Sequence, residues 1–145
     1  MSKGFSLIEL LVTVAILGII AAIGVLSFGG FIGTANEKQA TTGLSSIYLA
    51  QEEYRSLNGS YYQTRSNCGS TNDDAATINT NLFNGDKTLD ESSEKNFNLC
   101  IEYIGGSSSS FQANAYTLDG SGDYFTITNA NLKRKFKDNS WSEGW

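Results

Sequence analysis

The sequence predicts an α+β protein in which a long N-terminal helix packs on a C-terminal antiparallel sheet of about three or four strands. Two patterns carry this prediction. Residues 10–33 contain no charged side chain, and the apolar residues that follow, up to about residue 57, recur with helical spacing. Residues 97–136 instead alternate apolar and polar side chains between turn-forming segments, which is typical of short antiparallel strands.

The apolar segment begins at Phe5 and is long enough to cross a bilayer, for which about 20 residues are needed. Glu9 lies near its start, where a carboxylate at membrane depth costs roughly 2.5–3.5 kcal/mol and is expected to have a partner. Just before it, Lys3-Gly4-Phe5 joins a small residue to an aromatic one at the polar–apolar boundary. Cleavage between Gly4 and Phe5 would create a positive amine close to this acid.

The segment Gly4-Phe5-Ser-Leu-Ile-Glu9-Leu resembles the class III signal of type IV pilins and related pseudopilins, and the resemblance extends over roughly residues 2–62. It implies that a prepilin peptidase cuts after Gly4 and methylates the new amine of Phe5. It also implies that Glu9 pairs with the N-terminus of a neighbouring subunit during assembly. The expected organisation is a leader at 1–4, a transmembrane and filament-core helix half at 5–33, and a globular head at 34–145 with the ladle shape of the pilin fold.

Two other interpretations of the N-terminus are weaker. A secretory signal peptide has an apolar core of about 7–15 residues that precedes its cleavage site, whereas here the stretch is longer and the expected cut comes first. A simple membrane anchor explains the length but neither Glu9 nor the Gly4–Phe5 boundary. Lys3 is consistent with a cytoplasmic N-terminus. We therefore expect a single-pass protein of the bacterial inner membrane that becomes extracellular on assembly.

Composition argues against catalysis. The chain has 145 residues, a net charge of −5, no histidine and two cysteines. Without histidine there is no Ser–His–Asp triad and no Cys–His nucleophile, and two cysteines are too few for a thiolate metal cluster. We predict no enzyme activity, no cofactor and no metal. The alternative from a different class is an enzyme or sensor anchored by one helix, which would have to build its site from Asp, Glu, Ser and Tyr.

The second half of the helix is predicted to be amphipathic and to end near Leu57, because Asn58-Gly59 tolerates the left-handed conformation that stops helices. One stripe recurs at spacings of three and four and can cover a sheet: Leu44, Ile47, Tyr48, Gln51 and Tyr54. Leu26 stands where many type IV pilins carry proline. Glycines near it nevertheless weaken a helix, so we predict a locally unwound stretch near residues 18–26 in the filament.

Residues 58–96 are polar and rich in turn-forming residues, and they predict a connecting loop with Leu82 and Phe83 as its main apolar anchors. Cys68 lies in this loop and Cys100 in the first predicted strand. Two cysteines in an exported chain pair more often as a disulfide than they act as ligands or redox groups. Such a bridge would contribute about 3–4 kcal/mol to stability. Two free thiols are the alternative.

Strands are predicted at 97–103, 111–118, 124–128 and 132–136, followed by a C-terminal tail. Asp119-Gly-Ser-Gly-Asp123 lacks the full ligand spacing of a calcium loop and predicts a hairpin turn instead. The last strand carries the main basic cluster of the chain, Lys133, Arg134, Lys135 and Lys137. We favour an edge strand kept soluble by lysines over a contact with DNA or an anionic surface.

The resemblance implies a structural subunit, in the first place the major pilin, of a type IV pilus. Its implied partners are other copies in a helical filament, a prepilin peptidase, and the assembly platform and motor proteins. Adhesion, twitching motility and DNA uptake are the outputs usual for the family. A type II secretion pseudopilin is the alternative, because Tyr54-Arg-Ser-Leu-Asn58-Gly59-Ser-Tyr61 is similar to the segment that follows the pseudopilin helix. A second alternative is a minor type IV pilin.

Overall fold

The computed structural model describes the backbone of residues 4–145 and the side chains of residues 4–24 and 33–145. It divides into an N-terminal unit, Met1–Glu37, and a C-terminal unit, Lys38–Trp145. The elements in chain order are α1 (Leu7–Asn58), α2 (Ala75–Leu82), β1 (Phe97–Tyr103), β2 (Phe111–Thr117), β3 (Tyr124–Thr128), β4 (Lys133–Lys137) and β5 (Ser140–Glu143). The predicted α+β class is confirmed, with a sheet of five strands instead of three or four.

The N-terminal unit is helical from Leu7 onward, and its large apolar side chains are more than half exposed, from Leu7 at 77% to Ile23 at 65%. The window Leu7–Gly24 is long and apolar enough to cross a membrane. Residues 18–26 are helical here. The predicted unwinding of that stretch concerns the assembled filament and stays a prediction.

The second half of α1 supplies one wall of the core of the C-terminal unit. Leu44, Ile47 and Gln51 are fully buried, and Tyr48 packs half-buried against the same cluster. The opposite wall consists of inward-facing residues of the first three strands: Phe97, Leu99, Ile101, Phe111, Ala113, Ala115, Phe125 and Ile127. Each fully buried aliphatic side chain contributes about 1.5–3 kcal/mol. The predicted stripe is thus confirmed from Leu44 to Gln51 as the face of the helix that packs on the sheet. Tyr54, its last predicted member, is half-buried and contacts the Tyr62 ring, with the ring centroids 5.6 Å apart.

The helix ends where the sequence predicts. Gly59 adopts φ +75°, and its N–H donates to the carbonyl of Arg55 at 2.8 Å. A residue with a Cβ atom would be strained there, because positive φ is the left-handed region that favours glycine. This turn sends the chain back along the helix toward the sheet.

The connection between α1 and the sheet is more ordered than the sequence predicts. It contains α2, whose Ile78 is fully buried. Asn79 holds the segment in place, because its side-chain amide donates to the Leu89 carbonyl and accepts from the Leu89 N–H, both at 2.9 Å. Ile78 and Leu89 are therefore the main apolar anchors of this segment. The prediction that Leu82 and Phe83 have this role is wrong, because both lie half-buried at the rim of the core.

The sheet is an antiparallel meander in the order β1-β2-β3-β4-β5. The predicted hairpin turn at 119–123 is confirmed, with the Asp119 carboxylate accepting from the N–H and the hydroxyl of Ser121 at 2.9 and 2.6 Å. The predicted C-terminal tail is instead strand β5. It follows β4 through a two-residue turn at Asp138 and Asn139, which both have positive φ, as a tight hairpin requires.

The two edges of the sheet are protected from further strand pairing in different ways. The loop after α1 covers β1: Thr64 N–H donates to the Ile101 carbonyl at 2.9 Å, and Asp74 N–H donates to the Leu99 carbonyl at 2.8 Å. At the other edge, β5 is short and exposed, and it ends in Glu143, features that discourage pairing between molecules. The prediction that the basic cluster forms the edge strand is wrong, because β4 pairs with β3 on one side and β5 on the other.

Candidate functional site

Gly4 and Phe5 lie directly before the first turn of α1, outside regular structure. Both are exposed, and the Phe5 side chain is 77% accessible. The peptide bond that joins them therefore lies in a short exposed segment before the helix. The bond lies at the start of an apolar helix, and cleavage there stays a prediction.

Glu9 is part of the cap of α1. The Ser6 N–H donates to Glu9 Oε2 at 3.0 Å, and the Ser6 carbonyl accepts the first backbone bond of the helix, from Leu10 N–H at 3.2 Å. This is half of a capping box, in which an acid three residues after the cap residue satisfies an N–H group that the helix leaves unpaired. The negative charge also lies favourably near the positive end of the helix dipole.

Sequence reasoning missed this role, although the signal Ser6-Leu-Ile-Glu9 is present in the chain. The bond turns the carboxylate back toward the N-terminus, in the direction of Phe5. It uses one carboxylate oxygen of the two, and an ionised carboxylate accepts several hydrogen bonds. Glu9 can therefore cap its own helix and also face a positive group near the same helix end.

The disulfide between Cys68 and Cys100 is confirmed, with their Cα atoms 6.0 Å apart. Glu102, which sequence reasoning missed, supports it: its carboxylate accepts from the Cys68 N–H at 2.9 Å and from the Asn114 side chain at 3.1 Å. The Asn98 side chain also donates to the Ser70 carbonyl at 2.8 Å. The loop is thereby fixed over the face of β1 that points away from α1.

The segment Tyr54–Tyr61 has a structural explanation. The buried Tyr61 hydroxyl accepts from Arg55 at 2.9 Å and donates to the Glu52 carboxylate at 2.8 Å. Burial, followed by the bond to Glu52, raises the pKa of Tyr61. These side chains hold the turn after α1 against the helix, so the motif has a role in the folding of the head.

The four basic residues of β4 do not form one patch. Lys133 and Lys135 pair with Ile127 and Phe125 and so share the α1 side of the sheet, as does Lys137 by alternation. The Lys133 ammonium lies 4.5 Å from the Trp145 ring centroid. Arg134 points to the opposite face, where it lies 3.9 Å from the exposed Glu143 carboxylate. Such an exposed ion pair contributes little to the stability of the folded chain.

A row of aromatic side chains crosses the face of the sheet that points away from α1. Paired positions of neighbouring strands carry Tyr116, Tyr124, Phe136 and Trp141, with successive ring centroids 5.0, 5.1 and 5.3 Å apart. Burial raises the pKa of Tyr116 to about 12. The sequence did not reveal this row, because its members lie on four different strands and only the register aligns them.

Within residues 4–24 and 33–145, no group of three or more histidine, cysteine, aspartate or glutamate side chains is arranged to hold a metal ion.

Comparison with known proteins confirms the predicted resemblance. Residues 1–25, which contain Gly4, Phe5 and Glu9, match the family described as the prokaryotic N-terminal methylation motif. The chain is also 40% identical over 60 residues to the type IV major pilin protein PilA of Myxococcus xanthus (strain DK1622). That similarity covers 41% of this chain and 27% of the length of that pilin.

Proposed function

We propose that this chain is a structural subunit, the major pilin, of a type IV pilus, with a leader at 1–4, a filament-core helix half at 5–33 and a head at 34–145. A prepilin peptidase removes the leader after Gly4, and the new amine of Phe5 is methylated. The match to the N-terminal methylation motif over residues 1–25 supports this processing. The observation that carries the proposal is the Glu9 carboxylate, held at the end of an exposed apolar helix beside the Gly4–Phe5 bond.

Assembly follows from the chemistry of the N-terminal unit. Its apolar side chains need an apolar environment, which the inner membrane supplies before assembly and packed neighbouring helices supply afterwards. In that environment an unpaired carboxylate is costly, so Glu9 selects the register in which it faces the Phe5 amine of an adjacent subunit. The pair directs assembly, while apolar packing provides most of the adhesion.

Glu9 variants separate this ion pair from the helix cap. Glutamine at this position keeps an oxygen that can accept from the Ser6 N–H, but it carries no charge; alanine loses both functions. We expect Glu9→Gln to be processed normally and yet to form at least tenfold fewer filaments, similar to Glu9→Ala. Immunoblots of precursor and mature chain, together with the yield of sheared filaments, provide the two readouts.

Ser6→Ala is the matched control, since it retains the backbone N–H that donates a hydrogen bond to the Glu9 carboxylate. It should leave filament yield unchanged. Normal filaments from Glu9→Gln combined with their loss in Glu9→Ala would show that Glu9 acts only as a cap, and the proposed ion pair would be wrong.

The proposed location is the inner membrane, with a cytoplasmic N-terminus before assembly and an extracellular filament after it. The assembly platform and motor proteins are the proposed partners, and adhesion, twitching motility or DNA uptake the proposed outputs. The disulfide-closed loop supports a pilin over a secretion pseudopilin. Deleting the chain should remove surface filaments seen by electron microscopy. A loss of protein secretion with filaments intact would favour the pseudopilin alternative.

A further inference from the structure

Two tyrosines face each other across neighbouring strands in the middle of the sheet. Tyr116 of β2 and Tyr124 of β3 are direct partners in the strand register, and their ring centroids lie 5.0 Å apart at an interplanar angle of 32°. Both side chains are half-buried on the face of the sheet that points away from α1. Pairing of the two strands holds directly opposed side chains side by side, so this contact is a fixed feature of the folded sheet.

We propose that Tyr116 and Tyr124 form a site of oxidative modification, at which a peroxidase with hydrogen peroxide joins the two rings into a dityrosine. The inference does not depend on the proposed function, because it concerns the sheet of a single chain. The new bond ties β2 to β3, whereas the disulfide between Cys68 and Cys100 ties the loop after α1 to β1. Reductants open the disulfide and leave the dityrosine intact.

The reaction balances with peroxide as the oxidant. Each phenol loses one electron and its hydroxyl proton, and the two radicals couple through ring carbons that lie next to the hydroxyl groups. The hydrogen atoms on those two carbons then move to the oxygens, which restores both phenols. In total, two tyrosines and one hydrogen peroxide give one dityrosine and two waters. The product therefore weighs two hydrogen atoms less than the unlinked chain.

The protonation state of the pair is compatible with this step. Burial, followed by the charges of Glu102 and Tyr124, raises the pKa of Tyr116 to about 12, and burial raises the pKa of Tyr124. Both phenols therefore keep their protons at neutral pH, and each proton leaves together with its electron. The two radicals are then uncharged, so no repulsion between charges opposes their coupling.

A second pair of tyrosines provides an internal comparison. The ring centroids of Tyr54 and Tyr62 lie 5.6 Å apart at an interplanar angle of 56°. Tyr54 belongs to α1, so helix packing and not strand register sets this contact. The rings of Tyr116 and Tyr124 are closer and more nearly parallel, and a paired strand supports each of them. We therefore expect the sheet pair to couple in preference to the helix pair.

Treatment of the full chain in detergent with a haem peroxidase and hydrogen peroxide tests the site. After the disulfide is reduced, cleavage before Asp119 and Asp123 separates the peptide that contains Tyr116 from the peptide that contains Tyr124. We expect these two peptides to stay joined, two hydrogen atoms below their summed mass, in chains that run as monomers under denaturing conditions. The absence of this link, or links found only between chains, would overturn the inference.

Phenylalanine variants assign the link to its two rings. Tyr116→Phe and Tyr124→Phe keep the ring contact but remove one hydroxyl, and each should lower the dityrosine yield at least about tenfold, because the remaining radical must then find a partner in dilute solution. Tyr54→Phe, which removes a hydroxyl from the other pair, is the matched control and should leave the yield unchanged. A yield retained in Tyr124→Phe, or lost in Tyr54→Phe, would show that other tyrosines couple and that the inference is wrong.

Discussion

The side-chain amide of Gln51 binds both backbone groups of Tyr62. Gln51 Nε2 donates to the Tyr62 carbonyl at 2.7 Å, and the Tyr62 N–H donates to Gln51 Oε1 at 2.9 Å. Gln51 is fully buried on the apolar stripe of α1, so its polar atoms need these partners. The Gln51 side chain thereby donates and accepts one hydrogen bond each, as a neighbouring strand would, and it fixes the chain that returns from the helix to the sheet.

Replacing Gln51 by leucine should lower the free energy of unfolding by about 1–3 kcal/mol, because the Tyr62 backbone groups lose their partners while the apolar contact is kept. Chemical denaturation in detergent, followed by tryptophan fluorescence, measures the change. Gln63→Leu, next to Tyr62 but outside this pair of bonds, is the control. Equal stability of the two variants would contradict the role given to Gln51.

The disulfide should be a major contributor to the stability of the head. Replacing Cys68 and Cys100 together by alanine should lower the free energy of unfolding by about 3–4 kcal/mol, since an open loop gains entropy when the chain unfolds. Unfolding of the natural chain with and without a reductant gives an independent measure of the same quantity. A loss below about 1 kcal/mol would show that the contacts of Glu102 and Asn98 hold the loop without the bridge.

Ionisation of Tyr116 should destabilise the head at alkaline pH. Burial raises its pKa to about 12 in the folded chain, above the value of about 10 in the unfolded chain. The resulting stability is therefore fully present below pH ~10 and is lost as the pH rises toward 12. Tyrosinate absorbance should show a late step near pH 12 that disappears in Tyr116→Phe. Persistence of that step would assign it to another tyrosine.

Gly4 should determine processing. A branched residue beside the cleaved bond does not fit a site that accepts glycine, so Gly4→Val should leave the precursor uncut and should abolish filaments. Immunoblotting, which separates the precursor from the shorter mature chain, measures the cut fraction. Ser2→Ala, within the same leader, is the control and should be cut fully. Complete cutting of the Gly4 variant would contradict the proposed boundary.

Patterns that repeat along the chain predicted much of the fold. Leu44 and Ile47 recur at helical spacing, and Gly59 follows asparagine at a helix stop, so both could be read without the structure. Features set by pairing between distant residues could not be predicted from the sequence. β5 has a single large apolar residue, Trp141, and is identified by its pairing with β4. The eight residues of α2 are too few to establish a helical period.

The candidate site divides in the same way. Gly4, Phe5 and Glu9 form a local pattern that sequence alone identifies, and the bond from Ser6 to Glu9 adds a local contact. The arrangement of the basic residues depends on tertiary structure, because alternation along β4 places Arg134 on one face and its lysine neighbours on the other. Four cations within five residues of sequence thus differ in what they can contact.

The strand order of the sheet has a consequence for biogenesis. Every strand pairs with its neighbour in the chain, so each pairing closes only a short loop, and chains rich in such local contacts fold quickly. The C-terminal hairpins can form before the α1 stripe has docked on them. We therefore expect the meander to form first, with the Cys68–Cys100 bridge closing last over a sheet that already exists.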